Sequence, residues 1–184
     1  MDLSAALGGA AAVGRMAVAP HLEEEEAEMS LTDVRIVDLP PLRVASALGY
    51  GRNPEDQAAA KIARFAHAIG LLPGGRDYRA FGFNNPNPSP GSPNYGYECW
   101  IVVGPDVEAE PPIEIKLVAP AKYAVTRCVG LQNIGQRWRA LTVWVEDSPH
   151  KFPPGGGRCL EEFVNPTEQD RSKWVIDLYI EIVV

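Results

Sequence analysis

VRIVDLPPLRVASALGYG (residues 34–51) and IEIKLVAPAKYAVTRCVG (residues 113–130) decide how this chain folds, because they carry one pattern twice. Adding 79 to the first lays Val34, Ile36, Pro41, Ala45 and Gly51 on Ile113, Ile115, Pro120, Ala124 and Gly130. An offset of 80 extends the match, laying Phe83, Asn85 and Pro86 on Phe163, Asn165 and Pro166, and Cys99–Val103 on Tyr179–Val183. Under that offset Glu161 corresponds to Phe81, so the acid is not duplicated. Two copies of this length, each with strand and helix signals, predict a duplicated unit with an internal two-fold axis and a cleft at its seam.

Working outward, each copy reads strand, helix, strand, strand. Residues 34–37 and 42–48 are rich in β-formers, and Pro40-Pro41 between them must kink the strand because neither can donate to a ladder. Asn53-Pro54-Glu55-Asp56 gives a cap, a proline at the first helical position and acids in the first turn. Ile62, Phe65, Ala66 and Ile69 follow at helical spacing. Strands are expected at 78–84 and 95–103, joined by a Pro/Asn/Ser/Gly loop. The second copy repeats the plan with strands at 113–118 and 123–129, a helix from Asn133 through Val145, and strands at 158–164 and 174–184. The expected fold is α+β: two strand-helix-strand-strand modules forming one antiparallel sheet with both helices packed on it and a central ligand groove.

At 184 residues the chain suits one ordinary domain in which the copies share a core. Its net charge of -7, with no Lys/Arg cluster, argues against direct binding to nucleic acid. No apolar run is long enough to span a bilayer, so no membrane partner is expected. Cys99, Cys128 and Cys159 are scattered without a C-x-x-C pair and read as reduced cysteines of a cytoplasmic protein. Residues 1–30, Ala/Gly-rich and then acidic at Glu23–Glu26, read as a disordered leader without a targeting role, ahead of a domain at 31–184. There is no P-loop and no G-x-S-x-G elbow, and His21, His67 and His150 have no metal-ligand spacing. No cofactor or metal is expected.

Strand alternation puts Glu98, Trp100 and Val102 on one face and Tyr97, Cys99 and Ile101 on the other, and it pairs Glu161 with Phe163. A carboxylate beside an aromatic ring suits a flat cation, since the ring offers its negative face and the acid its charge. Each residue also has a plainer role. Glu98 fits an exposed strand position, Trp100, Trp138 and Phe163 fit a core, and Tyr123 and Tyr179 fit either a pocket wall or hydrogen-bonded sheet positions.

The order of elements, with Tyr97-Glu98-Cys99-Trp100, Ala121-Lys122-Tyr123-Ala124-Val125 and Leu160-Glu161-Glu162-Phe163, resembles the GyrI-like, AraC-type effector-binding superfamily over about residues 31–184. The resemblance implies a pseudo-two-fold pair of modules whose groove binds bulky aromatic or cationic small molecules, as in multidrug binding. It also implies ligand contacts from Glu98, Trp100, Tyr123, Trp138, Glu161, Phe163 and Tyr179. A stand-alone sensor, scavenger or toxin-protection protein is the leading expectation, since no DNA-binding domain is read ahead of the fold. A branch of the superfamily hydrolyses cyclopropane-bearing alkylating natural products. On that alternative Glu161, helped by Tyr123 or Tyr179, positions a water or protonates the ligand. Phe163 stands where many relatives carry tyrosine, which removes one hydroxyl donor. A third alternative is a protein-interaction or inhibitor module that uses its acidic surface.

Overall fold

Each proline step splits one bent strand into two, and the mutual pairing of the two bent strands shapes the whole molecule. The structure is a computed structural model and describes residues 33–183. The expected leader, residues 1–30, lies outside them. The strands are β1 (Arg35–Leu39), β2 (Leu42–Gly51), β3 (Ala80–Asn84), β4 (Tyr95–Val102), β5 (Glu114–Val118), β6 (Ala121–Val129), β7 (Cys159–Phe163) and β8 (Val175–Ile182); the helices are α1 (Pro54–Ala68) and α2 (Ile134–Asp147). β1 pairs with β6 from Arg35↔Val125 to Leu39↔Ala121, and β2 pairs with β5 from Leu42↔Val118 to Ser46↔Glu114. One register therefore crosses both proline kinks. All pairings are antiparallel, in the order β1-β6-β8-β7-β3-β4-β2-β5. The two ends of that order are halves of the same pair of bent strands, so the sheet curls round on itself.

Curling gives the sheet an inside and an outside. Val44, Phe81, Trp100, Tyr123, Val125, Leu160 and Tyr179 bury one another on the inner face. The outer face carries the helices, each on its own module. Ala58, Ile62 and Ala66 of α1 pack on Ala45, Ala47, Tyr97, Cys99 and Ile101, while Ile134, Leu141 and Val145 of α2 pack on Ala124, Cys128, Ile176, Leu178 and Ile180. Those helical positions recur at the three-to-four spacing of a single apolar stripe. Gly49 brings α1 close, since a Cβ there would stand 2.0 Å from the Pro54 carbonyl oxygen. Asn53 caps α1 differently from expectation: it adopts a left-handed conformation (φ 54) and makes no side-chain cap bond. Asn tolerates that region better than most residues.

The duplication is real, and its register is 79 throughout. Adding 79 to both members of Val44↔Val102 gives Tyr123↔Glu181, and adding it to Ala80↔Ile101 gives Cys159↔Ile180; both are observed pairs. The offset of 80 is therefore corrected for β3/β7 and β4/β8. The strings it matched fall one residue out, and a one-residue slip sends every side chain to the wrong face. Under 79, Phe81 corresponds to Leu160, both inside, and Glu161 corresponds to Gly82.

Candidate functional site

Gly82 and Glu161 are partners across β3 and β7, and each is the other's repeat mate, so the pseudo-two-fold axis passes through this pair. Both lie on the outer face, between the two helix-covered cores. The absence of a side chain at Gly82 is used: a Cβ there would stand 2.2 Å from Tyr97 Oη and 2.7 Å from its Cε1. The Tyr97 ring thus lies over Gly82, reaching from β4 across β3 to β7. Its hydroxyl donates to Glu161 Oε2 at 2.6 Å, and Trp138 Nε1, from α2, donates to Glu161 Oε1 at 3.2 Å. The carboxylate is held by one donor from each module.

Burial pushes the Glu161 carboxyl above its ordinary range, and the bonds from Tyr97 and Trp138 only partly offset this. Burial, with the nearby Glu161 charge, drives the Tyr97 phenol well upward, so it remains a proton donor. The same two causes, burial first, raise the thiols of Cys99 to about 12 and Cys159 to about 11. These cysteines are poor nucleophiles.

The residues expected to share one groove divide between the two faces of the sheet. Glu161, Trp138 and Phe163 are outside; Phe163 packs against the α2 core and stands edge-on to Trp174, with ring centroids 6.2 Å apart. Glu98, Trp100, Tyr123 and Tyr179 are inside. Tyr123 and Tyr179 stack edge to face at 5.6 Å, and Trp100 does the same with Phe83 at 4.6 Å. Tyr123 and Tyr179 are therefore corrected as helpers of Glu161, because strand alternation aims them to the opposite side of the sheet. Tyr97 takes that place. Its two-residue step from Cys99 had shown which face it occupies, but nothing in the sequence says that Gly82 opens a path from there to Glu161.

Glu98 is 2% exposed and fully engaged: Ser46 Oγ (2.6 Å), Asn85 Nδ2 (2.7 Å), Trp100 Nε1 (2.5 Å) and Lys116 Nζ (2.6 Å) all donate to it. Burial alone would raise its pKa, yet these donors together hold it below the ordinary value. Glu162, on the opposite face of β7 from Glu161, turns inward, receives the Arg79 guanidinium and accepts from the Tyr179 hydroxyl. Arg79 also covers the Phe81 ring at 4.9 Å.

A cation anchor must be an acid whose charge is not already matched, and the strand carboxylates can be compared on that point. Asp38 meets Lys122, Glu98 and Glu114 meet Lys116, Glu162 meets Arg79, Asp177 meets Arg35 and Arg127, and Glu181 meets Arg158. Glu161 has hydrogen-bond donors but no ion pair among the described residues. Those residues also contain no group of acids, histidines and cysteines able to hold a metal, and no helix long and apolar enough to cross a membrane.

The model of the GyrI-like small molecule binding domain matches residues 32–183. The chain belongs to that family. No curated protein sequence matches it. Among solved structures, this GyrI-like protein is similar to the EcmrR C-terminal domain at 13% identity, over 82% of this chain and 97% of that one, with a TM-score of 0.64. It spans 62% of the EcmrR chain in an EcmrR–DNA complex, at 14% identity over 88% of its own length and a TM-score of 0.65. A hydrolase from Listeria innocua matches at 13% identity over 88% of this chain and 98% of that one, with a TM-score of 0.59. SAV2435 bound to tetraphenylphosphonium matches at 13% identity over 83% of this chain and 94% of that one, with a TM-score of 0.50. At these identities the likeness is one of fold.

Proposed function

We propose that this small-molecule-binding domain takes bulky, aromatic, cationic hydrophobic molecules against the outer face of β3 and β7, between α1 and α2, with Glu161 as the anchor. The observation that carries the reading is the unmatched charge of Glu161 at the two-fold axis, beside the aromatic edges of Tyr97 and Trp138. A permanent cation arriving there supplies the missing partner, while the rings supply apolar contact and their negative faces. SAV2435, bound to tetraphenylphosphonium, shares the fold and supports a site of this kind. A cytoplasmic sensor, scavenger or toxin-protection role fits such a site.

A second reading rests on the raised pKa of Glu161. A carboxyl that holds its proton more readily than an ordinary glutamate can position a water or protonate a ligand carbonyl, and so can serve a hydrolase. The Listeria innocua hydrolase shares this fold.

Calorimetry with tetraphenylphosphonium tests the first reading. Glu161→Gln keeps the shape and removes the charge, and should weaken binding about tenfold to a hundredfold, the range of a hydrogen bond or contact to a charged group. The exposed α2 acid Glu146, changed to Gln, should have little effect. Equal effects at the two positions would refute an anchor at Glu161. Mass analysis of a cyclopropane-bearing alkylator after incubation separates the readings: an unchanged compound supports binding, and a hydrated product lost in Glu161→Gln supports hydrolysis.

A further inference from the structure

Glu161 is not the only acid of this cleft that a tyrosine holds. Tyr95 and Tyr97 lie two apart on β4, so they share the outer face and their ring positions step by about 7 Å along the strand. The Tyr97 hydroxyl donates to Glu161 Oε2 at 2.6 Å, and the Tyr95 hydroxyl donates to Glu55 Oε1 at 2.5 Å. Two tyrosine–carboxylate pairs therefore stand side by side, one reaching β7 and the other reaching the first turn of α1. Glu55 is half-buried and, like Glu161, has no ion pair among the described residues. It lies in the first turn of α1, where the positive end of the helix dipole favours an acidic side chain. Its charge reaches the cleft, since it is among the causes that raise Glu161, Tyr97 and Cys99.

The arrangement is one-sided. Under the 79-residue repeat, Glu55 is replaced by Ile134, Tyr95 by Trp174 and Tyr97 by Ile176. The first module thus offers Glu55 and both hydroxyls, and the second offers Glu161 beside Trp138, Phe163 and Trp174, which are half-buried against the α2 core. The two acids stand on different modules, one at the start of α1 and one on β7, with the half-buried indoles gathered on the second. Two like charges kept close in a partly dehydrated cleft repel, and one cation cannot neutralise both.

We infer that Glu55 is a second anionic anchor, and that the cleft selects aromatic molecules bearing two cationic centres over those bearing one. This rests on the reading of Glu161 as a cation anchor. Ethidium and propidium test it: they share the phenanthridinium ring system, and propidium adds a quaternary ammonium on a short arm. Affinities are measured by fluorescence anisotropy at about 0.15 M salt, where long-range attraction to a negatively charged protein is largely screened. Wild type should bind propidium about tenfold more tightly than ethidium. Glu55→Gln should bring that ratio to about one while leaving ethidium affinity within about twofold, which also reports an intact site. Tyr95→Phe, which keeps the acid and removes its clamp, should lower the ratio partway. Glu161→Gln should weaken both dyes, and Glu146→Gln should change neither. A wild-type ratio near one, or a ratio unchanged in Glu55→Gln, overturns the second anchor and leaves Glu161 standing if Glu161→Gln still weakens both dyes. Failure of the wild type to bind either dye overturns the reading of Glu161 as well.

Discussion

Glu98 and Asp177 are exchanged by the pseudo-two-fold axis: they stand 79 residues apart, at equivalent positions of β4 and β8, and both are buried acids on the inner face. The surroundings have diverged while the acids remain. Glu98 draws on Ser46, Asn85, Trp100 and Lys116, whereas Asp177 is held between Arg35 (2.5 Å) and Arg127 (2.7 and 3.0 Å), both largely in solvent.

That contrast predicts unequal costs. Glu98→Gln leaves buried donors facing an amide and removes the closer of the two acids that meet Lys116, so it should destabilise the protein by about 3 kcal/mol. Asp177→Asn frees arginines that water can solvate, and should cost about 1 kcal/mol. Both carboxyls are held below their ordinary pKa; in each, burial acts upward and the basic and hydrogen-bonding partners outweigh it. Their contribution is therefore present above the unfolded carboxylate pKa and lost as pH falls through the depressed folded value. Urea midpoints measured from neutral to acid pH should converge for wild type and Glu98→Gln. Equal costs at neutral pH for the two variants would refute the ranking.

The fold was largely legible because the repeat, the kinked strands and the helical stripes are patterns of apolar residues, and burial enforces such patterns. Ile62 and Ala66 illustrate this: both fall on the apolar stripe that α1 packs against the sheet. The candidate site was legible only in part. Glu161 stands out as an acid in an apolar strand, yet the sequence cannot show that Glu162, its neighbour, is matched by Arg79 from 83 positions earlier. Nor does it show that the curled sheet puts Glu98 and Glu161 on opposite sides. Which face of a sheet meets a helix and which meets itself depends on closure, and closure is set by the long-range register of residues 35–46 against 114–125.

Gly82 offers the sharpest structural test of the site. An alanine there would place its Cβ 2.2 Å from Tyr97 Oη and 2.7 Å from Cζ, so the ring must leave β3 and give up its bond to Glu161. Gly82→Ala should cost about 1–3 kcal/mol through overpacking and should weaken tetraphenylphosphonium binding with it. Pairing it with Tyr97→Ala should recover part of the stability, because the clash is then gone and the two changes are not additive. Additive losses in the double variant would mean that the ring and the glycine are not coupled.

The last prediction concerns protons at Glu161. Burial holds its carboxyl above the ordinary value, with Tyr97 and Trp138 opposing and Glu55 adding to the rise. A raised carboxyl favours the neutral form in the folded state. Its contribution to stability is therefore full below the unfolded pKa and lost as pH rises through the folded one. Binding of a permanent cation has the opposite sign, since the cation pairs with the ionised form and drives the proton off. In the window from the ordinary glutamate value up through the raised one, affinity should climb with pH and each binding event should release a fraction of a proton. Tetraphenylphosphonium carries no titratable group, so any such proton comes from the protein. Calorimetry in two buffers of different ionisation enthalpy reads that release directly, as a difference between the two apparent binding enthalpies. In Glu161→Gln the difference should vanish and affinity should lose its dependence on pH. Proton release that persists undiminished in this variant would assign the titrating group, and with it the cation, to a different carboxylate.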